Sequence, residues 1–128
     1  MGGYLAAKSR ILVVEDEADL GELLVDLLSE DFDVDHCMDP REAMSFLRRQ
    51  VYACLITDLA MPHMPGHQVV QATHAEFPQL PVIVMSGCAP NDPRLVAVVE
   101  IGCSAILPKP LPVAQDIVAA IKKAIATR

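Results

Sequence analysis

No apolar run in this 128-residue chain exceeds the length of a strand, and a membrane span needs roughly 18 consecutive apolar residues. The opening Met1-Gly2-Gly3-Tyr4-Leu5-Ala6-Ala7 has no apolar core followed by a small-residue cleavage site, so it does not read as a secretory signal. The expectation is a cytoplasmic protein with no membrane association. Four cysteines, Cys37, Cys54, Cys88 and Cys103, contain no C-x-x-C pair. Their scatter argues against a zinc knuckle and a disulfide framework and leaves reduced thiols, the first two as core filling. Basic residues are few. Ten Lys and Arg face 17 Asp and Glu, for a net charge of −7, and a chain without a basic stripe is not expected to bind nucleic acid directly. No Gly-rich phosphate loop follows the first apolar run, and no repeat, low-complexity tract or linker divides the chain. Residues 1–9 lack periodicity and read as a flexible leader, and 10–128 as a single domain.

What is present is alternation. The runs Arg10–Val14, Phe32–Cys37, Ala53–Thr57, Pro81–Met85 and Ser104–Leu107 read as strands, three of them continuously apolar as in buried parallel strands. Between them lie helical patterns. Leu20, Leu23, Leu24, Leu27 and Leu28 recur at helical spacing over 18–30. Asp39-Pro40-Arg41-Glu42 has the grammar of a cap, a first-turn proline and a capping-box glutamate, with Ala43, Phe46 and Leu47 facing inward. A third helix runs from Gly66-His67 to Phe77, where Pro78 stops it. Asp92-Pro93 opens a fourth, with Leu95, Val98 and Val99 packing inward and Gly102 closing it. Pro112 suits the first turn of a fifth, which carries Val113, Ile117, Ala120, Ile121 and Ala124. Five such alternations predict a parallel sheet with right-handed crossovers and helices on both faces.

Chemistry collects where the strands end. The first strand runs straight into Glu15-Asp16-Glu17, the third ends at Asp58 before Pro62, Pro65 and Gly66, the fourth ends at Ser86, and the fifth ends just before Lys109. In open α/β sheets that carboxyl edge is where ligands sit. Each residue has a plain structural role available: a cap for Asp58 or Ser86, a solvated charge for Lys109, a helix-dipole turn for Glu15 and Asp16. Their convergence is what points to a site. Clustered carboxylates hold a proton or recruit a cation, and an all-oxygen, solvent-open cluster suits Mg²⁺. Lys109 adds a compact positive charge, so that a phosphoryl group attacked by Asp58 could be held there. His63 and His67, spaced H-x-x-x-H, are separated by Pro65 and Gly66 and cannot share one helix as metal ligands.

The motifs VVEDE, TDLAMPHMPG, VIVMSG and ILPKP, in this order and spacing, resemble those of two-component response regulator receiver domains over about residues 10–126. The resemblance implies a flavodoxin-like (βα)5 three-layer fold with a five-stranded parallel sheet of order 2-1-3-4-5. It implies Asp58 as phosphoacceptor and Mg²⁺ on Asp16, Asp58 and the Ala60 carbonyl, with Glu15 acting through metal-bound water. It further implies Ser86 and Lys109 on phosphoryl oxygens and a cis Lys109-Pro110 peptide. The implied partner is a sensor histidine kinase or histidine phosphotransfer protein, and the implied reaction is the chain's own phosphorylation from phosphohistidine, with no separate substrate turned over.

Three departures stand out. Ile106 occupies the place of the family's Tyr or Phe three residues before the lysine, which removes the usual aromatic readout. Cys103-Ser104-Ala105 lacks the acidic pair of family members that dimerise through that face, so a monomer or weak dimer is expected. Ala60 and Cys88 are small and uncharged, offer no general base, and lead to an expectation of slow to moderate hydrolysis. PQLPVIVMSGCA is similar to receivers at the carboxyl end of hybrid kinases, and a stand-alone receiver and one cut from a longer chain both fit. A phosphorylation-independent scaffold that docks a kinase or phosphotransfer protein is the alternative. An aspartyl-phosphate hydrolase fits less well, because Ala60 stands where that class has a second Asp.

Overall fold

The computed structural model describes residues 7–128, so most of the expected leader lies outside the described residues. Residues 7–9 form no regular element, yet they are tied down: Lys8 Nζ donates to the Ser29 carbonyl at 2.8 Å, and Asp33 N donates to the Ser9 carbonyl at 3.0 Å. The chain alternates β1 (Arg10–Val14), α1 (Ala18–Leu28), β2 (Asp33–Cys37), α2 (Ala43–Arg49), β3 (Cys54–Asp58), α3 (Gly66–Glu76), β4 (Val82–Ser86), α4 (Pro93–Ile101), β5 (Ala105–Pro108) and α5 (Ala114–Ala126). All pairings are parallel and the sheet order is β2-β1-β3-β4-β5, as expected.

β3 and β4 are buried at every position, which is why their sequences show no polar alternation. Successive side chains point to opposite faces of the sheet, so the core divides in two. Leu12, Val14, Leu55, Val82 and Val84 pack with α2, α3 and α4 on one side. Ile11, Val13, Cys54, Ile56, Ile83 and Met85 pack with α1 and α5 on the other. Cys37 and Cys54 are buried as expected, and burial pushes their thiols up to about 11 and about 12.

Several local expectations are corrected. In α1 only Leu24 and Leu28 of the leucines are fully buried, while Leu23 and Leu27 are exposed. Asp39 caps as expected, accepting from Arg41 N at 3.0 Å, but it caps a single 3-10 turn over Pro40–Glu42, and α2 begins only at Ala43. In α4 the inward stripe is Leu95, Val98 and Ile101, and Val99 is 60% exposed. Leu95, Val98 and Ile101 recur every three residues, and Val99 falls on the flank of that stripe. α5 starts at Ala114, which leaves Val113 as its exposed N-cap and Pro112 outside the helix. Gly102 ends α4 with φ 99°, a conformation natural to glycine.

Candidate functional site

Four parallel strands, β1, β3, β4 and β5, end on one edge, and each delivers a side chain there. Glu15 and Asp16 follow β1, Asp58 and Ser86 are the last residues of β3 and β4, and Lys109 follows β5. Carboxylate oxygens of Glu15, Asp16 and Asp58 lie within 4.8 Å of one another. Lys109 Nζ donates to Asp58 Oδ2 at 2.6 Å and to Glu15 Oε1 at 3.5 Å. Its peptide with Pro110 is cis, and its backbone N donates to the Ser86 carbonyl at 3.0 Å. The carboxylates and the lysine that sequence spacing predicts are therefore assembled, with Ser86 beside them on the neighbouring strand.

The electrostatics follow from unequal pairing. Glu15 is 0% exposed. Burial is the main reason its carboxyl is pushed up to about 8; the backbone N–H of Glu17 at 3.1 Å pulls the other way, while neighbouring Asp16 and Asp58 push with burial. Lys109 sits nearer Asp58 and so compensates Glu15 only weakly. Burial works against the charge of Lys109, but its hydrogen bond to Asp58 and the charges of Asp58 and Glu15 outweigh that and raise it above the ordinary lysine value.

Backbone detail shapes the mouth. The loop after β3 is closed by Gly66 N on the Leu59 carbonyl at 2.8 Å. A Cβ at Gly66 would overlap the Asp58 carbonyl and stand 2.6 Å from Leu59 Cα, so this turn admits glycine alone. Ala60 N donates to Asp58 Oδ1 at 3.3 Å. Ser86 Oγ accepts from Cys88 N at 2.9 Å, which leaves its own proton free to donate. His63 lies in the loop with φ 67°, ahead of the helix that holds His67, so the two share no helical face.

Two contributors escaped the sequence reading. His36 Nε2 lies 2.8 Å from the Glu15 carbonyl and bolts β2 to the end of β1, with Gly21 making room for the ring. Arg94, on the first turn of α4, reaches Cys88 Sγ at 3.4 Å. The Asp-Pro-Arg spacing is a usable signal, since a long side chain two residues past an aspartate cap can fold back onto it.

The family model of the response regulator receiver domain matches residues 11–122. This chain belongs to that family. Among curated relatives, the receiver is 33% identical over 103 residues to the response regulator protein FleR of Pseudomonas aeruginosa, covering 80% of this chain and 22% of that one. It is 31% identical over 110 residues to the response regulator Rre1 of Synechocystis, covering 83% of this chain and 47% of that one. The chain thus spans less than half the length of either. A solved receiver domain from Clostridium thermocellum superposes with a TM-score of 0.84 at 27% identity, covering 93% of this chain and 95% of that one. Receivers of this family work with kinases or phosphotransfer proteins in two-component signalling. Among the described residues no helix of this receiver is long and apolar enough to cross a membrane. Its donor set, three carboxylates of which one is buried and poorly compensated, fits a hard divalent cation.

Proposed function

We propose that this receiver is a phosphoacceptor switch in which Asp58 takes a phosphoryl group from phosphohistidine on a sensor histidine kinase or phosphotransfer protein. One observation carries the reading: Lys109 Nζ stands 2.6 Å from Asp58 Oδ2, inside a group of three carboxylates. A scaffold that only docks a partner has no physical use for such mutual repulsion. In the transfer an Asp58 oxygen bonds to phosphorus, the P–N bond breaks, and its electron pair stays on the imidazole nitrogen. Phosphoryl transfer asks chiefly for positioning and charge neutralisation. Lys109 follows the phosphoryl oxygens as Asp58 gives up its free charge, and Ser86 donates its hydroxyl proton to another.

Asp16, Asp58 and the Ala60 carbonyl would hold Mg²⁺, with Glu15 acting through its water, and the ion would neutralise charge on the transferred group. Water later cleaves the acyl phosphate to inorganic phosphate and Asp58, slowly, because Ala60 and Cys88 supply no base. The proposed unit is residues 10–128, acting in the cytoplasm as a monomer or weak dimer. Incubation with acetyl phosphate and Mg²⁺, read by intact mass on the parent and on Asp58→Asn, tests the assignment. A phosphate-sized gain in the parent alone is expected, and an equal gain in both would move the acceptor elsewhere. Unchanged amide shifts near Asp58 and Ser86 on adding beryllofluoride with Mg²⁺ would favour the scaffold.

A further inference from the structure

The opposite end of the sheet carries a groove. Five-residue strands run roughly 16 Å, so the edge where they begin lies well away from the acid cluster. There α2 ends at Arg49 and leads through Gln50-Val51-Tyr52 toward β3, and α3 ends at Glu76 and leads through Phe77-Pro78-Gln79-Leu80 toward β4. Between these two connections lies an open cavity of about 1000 Å³, with Arg128, just past α5, in its wall. The lining is largely apolar: Leu47 and Tyr52 are buried, and Phe77 and Leu80 are half-buried against the core. Val51 also lines it and is 93% exposed, more than any other large apolar side chain among the described residues.

The charge of the groove is one-sided. Arg48, Arg49 and Arg128 line it and no carboxylate side chain does, in a chain whose acids outnumber its bases by 17 to 10. Arg48 is committed to Glu76, which accepts from its Nε and Nη2 at 2.6 Å each. Arg49 lies over the Phe46 ring, 4.9 Å from the centroid. Neither Arg49 nor Arg128 forms a side-chain ion pair among the described residues. The nearby Asp35, which accepts from Tyr52 Oη at 2.7 Å, is already answered by Arg10. Complementing the carbonyl end of α2 accounts for arginines in its last turn. It does not account for an apolar surface left open beside them.

We propose that this groove is a binding site for a small carboxylate with an apolar body, the carboxylate on Arg49 and Arg128 and the body on Val51, Phe77 and Leu80. A planar guanidinium takes a carboxylate through paired hydrogen bonds. The volume is at the upper end of the roughly 300–1,000 Å³ of small-molecule sites, whose walls are likewise mostly apolar with a few polar groups. A stable protein partner needs about 800 Å² from each side, more than a groove between two short connections offers. The site is independent of the phosphoacceptor reading.

The test is an NMR titration of the ¹⁵N-labelled protein with 3-phenylpropanoate and with its neutral counterpart 3-phenylpropan-1-ol, following the amides of Val51, Phe77 and Leu80. Saturable shifts are expected with the acid at a Kd on the order of a few millimolar, the scale for a ligand of about a dozen heavy atoms. The alcohol should bind at least threefold more weakly. Arg49→Gln should abolish that preference, Arg49→Lys should keep part of it, and added salt should shrink it in the parent. Val51→Asp, at a fully solvated position, should weaken the acid more than the alcohol. Arg41→Gln makes the same charge change at the acid edge, where Arg41 pairs with Asp39, and should leave both affinities alone, as should Asp58→Asn. Equal binding of acid and alcohol, a preference that survives Arg49→Gln, or loss of binding in Asp58→Asn overturns the proposal. So does self-association of the parent, seen by sedimentation velocity and lost in Val51→Asp, which would give the groove to a second copy of the chain.

Discussion

Replacing Glu15 with glutamine should make the metal-free receiver more stable at pH 8 and nearly neutral in effect at pH 4. The carboxyl is fully buried and its ammonium partner is closer to Asp58, so it holds its proton up to about 8 in the folded chain against an ordinary value of 4.5. Between those two values the folded state binds more protons than the unfolded one, and stability therefore falls as pH rises through the window. Integrated over it, the loss is about 5 kcal/mol at most, a ceiling that movement of Lys109 toward Glu15 reduces. Glutamine imitates the protonated form and has no proton to lose. Urea unfolding in EDTA at pH 5, 6, 7 and 8 measures the effect, and the difference between parent and variant isolates Glu15 together with its coupling to Asp16, Asp58 and Lys109, because groups remote from it titrate alike in both. The expected result is a parent whose stability declines across the series and a Glu15→Gln curve that declines less, the gap widening to a few kcal/mol at pH 8. Parallel curves would refute the account of Glu15 as an under-compensated buried acid.

Further outcomes follow from the same geometry. Lys109→Met strands the nearly buried Asp58 carboxylate, so a loss of about 3 kcal/mol at pH 7 is expected in urea melts, together with loss of labelling by acetyl phosphate. Gly66→Ala forces a Cβ into the backbone of Asp58 and Leu59; a cost of about 2 kcal/mol and slower phosphorylation are expected, and a variant matching the parent in both would contradict the packing of that loop. Tyr52→Phe removes the 2.7 Å hydrogen bond to Asp35, which also pairs with Arg10, and should cost about 1 kcal/mol while leaving the phosphorylation rate unchanged. Acid-quenched decay of the labelled parent should be slow, and loss of the label within seconds would contradict the reading of Ala60 and Cys88.

The sheet was legible because both-face burial leaves β3 and β4 without polar interruptions, and because each strand leading to the site stops at a charge, hydroxyl or proline. The acidic cluster was legible for the same reason: strand ends in a parallel sheet share one edge. Side-chain direction was harder. Leu23, Leu27 and Val99 look as apolar as their buried neighbours, yet each sits one position off the buried stripe of its helix and is exposed. The 3-10 turn at Pro40–Glu42 was hidden by a capping signature that fits either kind of helix start. The Asp-Pro-Arg spacing signals only that Arg94 folds back onto Asp92; its contact with Cys88 depends on how α4 leaves the loop after β4, which spacing does not encode. Ile106, at 40% exposure on β5, is legible in the sequence as a departure from the family pattern.

The sheet divides the interior into two apolar compartments that exchange no side chains, one under α2, α3 and α4 and one under α1 and α5. Asp58 terminates a strand that lines both. Substitutions in opposite compartments should combine additively, so either side can be redesigned to suit a new partner while the other keeps its packing and the acid edge keeps its shape.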